Sequence, residues 1–198
     1  MGAKNLKAVV AGGNARAESA DAGKVSEMAK QAVKKKQLWI TADHSTHKAL
    51  QQEFKSGPEV TKACLSCHEL AAGQFHKTIH WTWLDPNVPV GERIGKAGHS
   101  INNFCINLNG NEPRCTSCHA GFGWRDSSFN FNDEAAVDCL VCHEQTGTYK
   151  KFPTGAGHPV QKSTVFKGNS KTYNPPDWNK VAQSVGRPTR ANCGTCHF

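Results

Sequence analysis

At 198 residues the chain is long enough for one ordinary domain or two small ones, and too short for a large multidomain enzyme. Hydrophobic residues make up 37% and charged residues 20%, with eighteen glycines and nine prolines, which excludes disorder by charge excess and collagen-like repetition. No apolar run approaches the roughly 18 residues of a membrane-spanning helix, and the unusual feature is a complement of nine Cys and ten His.

From the N-terminus, Val25, Met28, Ala29, Ala32 and Val33 recur at helical spacing and predict an amphipathic helix over roughly residues 22–39, with Lys34, Lys35 and Lys36 as a solvated face. Residues 1–40 are read as a helical extension and 41–198 as the main domain. Asp43 is expected to cap a second helix ending near Ser56-Gly57-Pro58, with His44 and His47 on one face. Pro58 suits the first turn of a third helix. His76 and His80 stand at i and i+4, which predicts two imidazoles projecting from one side of a helix. Metalloproteases use that spacing too, but need Glu beside the first His, and Lys77 stands there. Beyond Trp83 the chain turns irregular through Asp85-Pro86-Asn87, Asn109-Gly110, Glu112-Pro113, Pro153 to Pro159 and Pro175-Pro176. The expectation is a mainly α fold with long loops, without internal repeat, nucleotide-binding glycine loop or hydrolase triad.

Four times the chain writes Cys-x-x-Cys-His: Cys64, Cys67 and His68; Cys115, Cys118 and His119; Cys139, Cys142 and His143; Cys193, Cys196 and His197. Two thiols at this spacing can each add to a vinyl group of one porphyrin, and the adjacent His then lies beneath the ring as proximal iron ligand. Zinc knuckles have no use for a His after every second Cys, and the motif starts are unequally spaced, at 51, 24 and 54 residues. Disulfides between residues three apart would constrain almost nothing. The motifs therefore imply four covalently attached haems c, around which a thin-cored chain can wrap.

The formal net charge of +8 overstates the basicity of such a protein, because each haem brings two propionates. The basic residues are read as propionate partners and solvated surface, with no nucleic-acid binding. Six His lie outside the motifs as candidate distal ligands: His44, His47, His76, His80, His99 and His158. They are enough to close four irons for electron transfer, whereas an open sixth position permits chemistry.

The stretches Ala42-Asp43-His44-Ser45, Gly57 through His68, His76 through Trp83, Ile101-Asn102-Asn103-Phe104-Cys105, Val137 through His143, Gly147-Thr148-Tyr149-Lys150-Lys151 and Cys193 through Phe198 resemble the octahaem tetrathionate reductase family of multihaem cytochromes c. The resemblance covers about residues 41–198. It implies a periplasmic protein with closely packed haems that reduces tetrathionate, nitrite or hydroxylamine at one haem, where a lysine amine replaces a second His and the other side is open. Carried across, it makes Lys150 or Lys151 the lysine ligand, the haem on Cys115, Cys118 and His119 the active one, and Cys105 a thiol lining the same pocket. The family carries eight motifs, and this chain stops one residue past its fourth.

Residues 1–36 are similar to an internal segment of the tungsten-dependent aldehyde ferredoxin oxidoreductases, and no cofactor is assigned to them. Leu6 to Ala11, interrupted by Lys7, makes a poor hydrophobic region for a secretory signal, although Ala15-Arg16-Ala17 imitates a cleavage site. Haem attachment of this type takes place outside the cytoplasm, so a periplasmic or extracellular location and an exported precursor are expected. Three functional readings follow: an electron carrier serving redox proteins; all or part of a reductase of sulfur or nitrogen oxyanions; and a subunit of a haem polymer completed by neighbouring copies. Because haem attachment is coupled to folding much as a structural metal is, the haem-free chain is expected to be largely unfolded. Circular dichroism checks this, and a folded haem-free chain would count against the architecture.

Overall fold

The computed structural model describes residues 42–89, 91–95, 97 and 111–197. The expected helix over 22–39, its lysine run, His99, Cys105 and the segment similar to aldehyde ferredoxin oxidoreductases lie outside the described residues.

Asp43 does cap, but it caps a 3-10 turn, His44–Thr46, followed by a second, Lys48–Leu50, instead of the single helix expected up to Gly57. Local side-chain bonds explain the difference. The Asp43 carboxylate accepts from the Ser45 amide at 3.0 Å and its hydroxyl at 2.6 Å, while Thr46 Oγ1 donates to the Asp43 carbonyl at 2.8 Å. Short hydroxyl and carboxylate side chains thus satisfy the backbone in a tight turn in competition with helix propagation.

Helix α1, Gly57–Leu65, forms where Pro58 predicts it, with Ser56 Oγ accepting from the Glu59 amide. Its buried face, Gly57, Val60, Thr61 and Ala63, delivers Cys64 at the last turn. Helix α2, Ala71–Phe75, stops at His76, and α3, Ile79–Thr82, starts afresh after Thr78. Both the amide and the hydroxyl of Thr78 donate to the Phe75 carbonyl, at 2.9 and 2.8 Å, and turn the chain between them. His76 and His80 therefore do not share a helix face, contrary to their spacing.

Helix α4, Glu112–Cys115, runs into a 3-10 turn, Thr116–Cys118, and carries the second motif. The segment after it meets the segment before the third motif. Phe122 N–H donates to Ala136 O at 2.8 Å and Asp138 N–H to Ala120 O at 3.0 Å, around an antiparallel bridge of Gly121 with Val137. Helix α5, Leu140–His143, follows at once. A two-stranded antiparallel sheet, β1 Thr164–Phe166 and β2 Lys171–Tyr173, pairs Val165 with Thr172 and is the one strand pair of the described fold outside isolated bridges.

Helix α6, Trp178–Gln183, is capped by Asp177 and returns to the start of the domain. Asn179 Oδ1 accepts from the Phe54 amide at 3.1 Å, and Gln183 Nε2 donates to Leu50 O at 2.9 Å. Helix α7, Arg190–Cys193, opens with a capping box of Thr189 and Asn192 and ends on the fourth motif.

Two small apolar clusters hold these pieces. One gathers Leu50, Phe54, Val60, Phe122, Leu140 and Val181 between α1, α5 and α6. The other packs Ala72, Trp81, Ala136 and Val137 beneath Phe129 and Phe131. The described fold is helix-rich with loops and one small sheet, as thin in core as its composition implies.

Gly157 shows how tightly the loop after α5 is laid against the second motif. Its φ is +88° and a Cβ there would stand 2.0 Å from the Gly121 carbonyl oxygen. At Gly147, φ is +69° but nothing lies within 4 Å of the same position. Gly147→Ala is thus expected to cost only the left-handed backbone penalty, about 1–2 kcal/mol. Gly157→Ala adds overpacking of about 1–3 kcal/mol. Denaturant midpoints of the two variants, measured side by side, check the order.

Candidate haem-attachment sites

Three of the four motifs fold alike. In the first, third and fourth, the amide of the motif His donates to the carbonyl of the first Cys, His68 to Cys64 at 2.9 Å, His143 to Cys139 at 3.1 Å and His197 to Cys193 at 2.9 Å. The two Cys and the His are thereby wrapped around one helical turn, and all three His are exposed. The second motif is tighter, with His119 donating to Thr116 O at 2.9 Å.

Its imidazole differs as well. His119 is fully buried, and its Nε2 lies 2.8 Å from the Trp81 carbonyl. A carbonyl only accepts, so Nε2 carries the proton and the lone pair is on Nδ1, which is buried without a hydrogen-bond partner. Burial lowers the His119 pKa to about 4, against the raising effect of the Trp81 carbonyl, so the ring is neutral. Trp81, Trp83, Trp124 and Phe129 surround it with ring centroids 5.0, 5.5, 4.9 and 5.6 Å away. In this arrangement His119 Nε2 is turned to a backbone carbonyl.

His143 shows the opposite orientation. Its Nδ1 lies 2.9 Å from the Gly186 carbonyl and so bears the proton, which leaves the Nε2 lone pair for a metal.

Among the non-motif His, His44 lies near His68 with centroids 6.3 Å apart and planes 27° from parallel, and His80 meets His197 edge-on, with centroids 6.1 Å apart and planes at 89°. His44 Nδ1 is buried without a partner, and burial followed by His47, His68 and His143 holds its pKa below the usual imidazole value. His47 is exposed, 5.5 Å from His44. His76 stacks on Trp81 at 4.4 Å and also leaves a buried nitrogen, Nε2, without a partner. His158 lies 5.3 Å from the Phe122 ring, with its pKa lowered by burial and then by Arg125 and Lys151.

The thiols meet across motifs. The Cys64 thiol of the first motif stands beside Cys139 of the third, and this neighbour together with burial pushes the Cys139 thiol up. Cys118 of the second and Cys196 of the fourth do the same, with burial again raising the Cys196 thiol, whose Sγ also lies 3.8 Å from the Cys118 carbonyl.

The resemblance leaves Lys150 and Lys151 open, and the two are placed very differently. Lys150 is exposed. Lys151 has only 8% of its side chain exposed and reaches the second motif, where Nζ donates to His119 O and lies 3.5 Å from Gly121 O. It also pairs with Asp138 Oδ2 at 3.0 Å. Asp138 in turn accepts from Tyr149 Oη at 2.9 Å and from the Val141 amide at 3.1 Å. Neither Asp138 nor Tyr149 was singled out from sequence, although an acidic residue inside the apolar run Val137-Asp138-Cys139-Leu140-Val141 was a legible signal.

These residues fit haem better than zinc. Among the described residues no three His, Cys, Asp or Glu side chains converge on one point as a tetrahedral zinc site needs. Opposed His pairs, buried ring nitrogens without partners and bare apolar side chains beside the motifs are what a flat apolar group with axial ligands would satisfy. Leu70, two residues beyond His68, is 74% exposed, and Ile79, next to His80, is 53% exposed. No described helix is long and apolar enough to cross a membrane.

No family model matches the chain. It is 22% identical over 191 residues to an uncharacterized protein of Archaeoglobus fulgidus, an alignment covering 78% of this chain and 64% of that one. Among solved structures it is similar to the octaheme cytochrome c of Shewanella oneidensis, at 46% identity and a TM-score of 0.64, covering 79% of this chain and 33% of that one. The chain thus spans a third of its structural neighbour, and this likeness in sequence and fold supports the multihaem cytochrome c family for it.

Proposed function

We propose that the chain holds four haems c, one on each Cys-x-x-Cys-His motif, and passes electrons between them. The observation that carries this is the opposition of non-motif to motif His: His44 to His68 and His80 to His197. Such pairs suit six-coordinate irons, which exchange electrons without binding substrate. Adjacent cysteines support close cofactors, the first motif beside the third and the second beside the fourth. The cofactor supplies one-electron chemistry; the chain supplies axial nitrogens, fixed orientation and a wrapped, low-dielectric surround. His143, oriented by Gly186, is the proximal ligand at the third motif, and His47, His76, His99 and His158 remain the candidates for distal positions. A periplasmic or extracellular site and redox proteins as partners belong to this reading.

A second reading is favoured by one observation, the contrast between the second motif and the other three. Lys151 is aimed at the second motif, where the motif His is turned to a carbonyl. This supports Lys151 over Lys150 as the lysine ligand of a substrate-binding haem, as in reductases of tetrathionate, nitrite or hydroxylamine. Cationic groups there, such as Arg125 near His158, would stabilise negative charge developing on an oxyanion.

Matured in a host that attaches haem, the protein is expected to show four haems by intact mass. His44→Ala and His80→Ala should each convert one of them from low to high spin in the electron paramagnetic resonance spectrum. Four low-spin bis-His signals in the parent protein, unmoved by nitrite or tetrathionate, would leave the carrier reading and remove the enzymatic one. Fewer than four haems would overturn the count itself.

A further inference from the structure

Behind the second motif lies a buried charge pair to which electron transfer assigns no task. Asp138 has none of its side chain exposed and Lys151 only 8%, with Nζ and Oδ2 3.0 Å apart. Burying two charges is strongly unfavourable and their attraction does little more than offset it. The arrangement is better explained by position. Asp138 is held on every side: Tyr149 Oη donates to Oδ2 at 2.9 Å, the Val141 amide to Oδ1 at 3.1 Å, and its own amide is bonded to Ala120 O at 3.0 Å. That last bond belongs to the seam between the second and third motifs, so the carboxylate is fixed relative to both.

We propose that Asp138, oriented by Tyr149, is the positioning residue that aims the Lys151 amine at the cofactor of the second motif. The proposal rests on the reading of Lys151 as the lysine ligand of that haem. In the charge pair Nζ is an ammonium, so binding a metal requires it to release one proton to solvent; the resulting amine gives its lone pair to the metal and keeps two N–H donors. The two nearest acceptors around Nζ are the Asp138 carboxylate and the His119 carbonyl, with Gly121 O farther off at 3.5 Å. With both N–H directions taken and the stem fixed by burial, the lone pair has one direction left. A carboxylate accepting from a ligand's N–H also strengthens it as a donor, as outer-shell carboxylates do for metal-bound histidines. Asp138 immediately precedes Cys139, so the same residue ties the ligand of one haem to the attachment point of the next.

The test uses the mature protein with its haems attached, comparing the parent with Lys151→Ala, Asp138→Asn and Tyr149→Phe. Haems are counted by intact mass, and ligation is read by electron paramagnetic resonance and near-infrared magnetic circular dichroism. Lys151→Ala is expected to abolish the lysine-type signal. Asp138→Asn is expected to lower it at least twofold, and Tyr149→Phe by less, with haem count and bis-His signals unchanged in both. Loss of the lysine-type signal in Lys151→Ala, together with parent-like spectra in Asp138→Asn and Tyr149→Phe, overturns the positioning role and leaves the lysine ligation standing. A parent-like spectrum in Lys151→Ala overturns the underlying reading, and this proposal with it. Should Asp138→Asn fail to mature, Tyr149→Phe, which keeps the buried ring, decides by the same criterion.

Discussion

The short antiparallel seam around Gly121 and Val137 governs what the rest of the molecule can do. It joins the residues that leave the second motif to those that enter the third, through Phe122 with Ala136 and Asp138 with Ala120. Thr61, buried on α1, donates its hydroxyl to the Val137 carbonyl at 2.6 Å, which brings the helix carrying the first motif onto the same strand of backbone. Three motifs are thereby referenced to one stretch of about three residues. The fourth joins by a different route, since Asn192 Nδ2 donates to Glu144 O at 2.8 Å, one residue past His143.

Polar side chains carry an unusual share of this organisation. Glu144 is buried and its carboxylate accepts from the Thr146 and Gly147 amides at 2.8 and 3.1 Å, which turns the chain toward Tyr149. Asp138, six residues earlier, accepts from the Val141 amide and from Tyr149 Oη. Each such bond contributes only about 0.5–1.5 kcal/mol net, but leaving a buried partner unmade costs about 1–3 kcal/mol. A fold built this way tolerates little slippage in the loops that cross the motifs, even though its apolar clusters are small.

What was legible in the sequence was what depends on neighbours along the chain. The four motifs follow from spacing alone, and α1 from Pro58 in its first turn, while Ser56, expected at the end of the preceding helix, caps this one instead. Asp43 caps as its sequence context implies, but Ser45 and Thr46 compete for the backbone and turn the expected helix into two 3-10 turns. His76 and His80 have helical spacing, yet Thr78 bonds back to Phe75 and separates them. The hairpin of β1 and β2 was missed although Thr164, Val165, Phe166 and Tyr173 are good strand formers. The meeting of Cys64 with Cys139, or of Lys151 with His119, joins residues far apart in sequence, and no local pattern encodes it. Motif spacing likewise gave no sign that His119 would be the one motif imidazole turned inward, since the tryptophans around it come from Trp81 to Trp124.

The bonds from α6 to the first turns of the domain bear on the order of events in the life of the chain. Asn179 and Gln183 satisfy Gln52, Phe54 and Leu50 across separations of 125 to 133 residues. The cluster of Leu50, Phe54 and Val181 therefore cannot close until nearly all of the domain has emerged. The seam that links the first three motifs needs only residues 61 to 138, so it can form before this closure. Whatever those motifs hold would then be enclosed last, when the two ends of the domain find one another across the whole length between them.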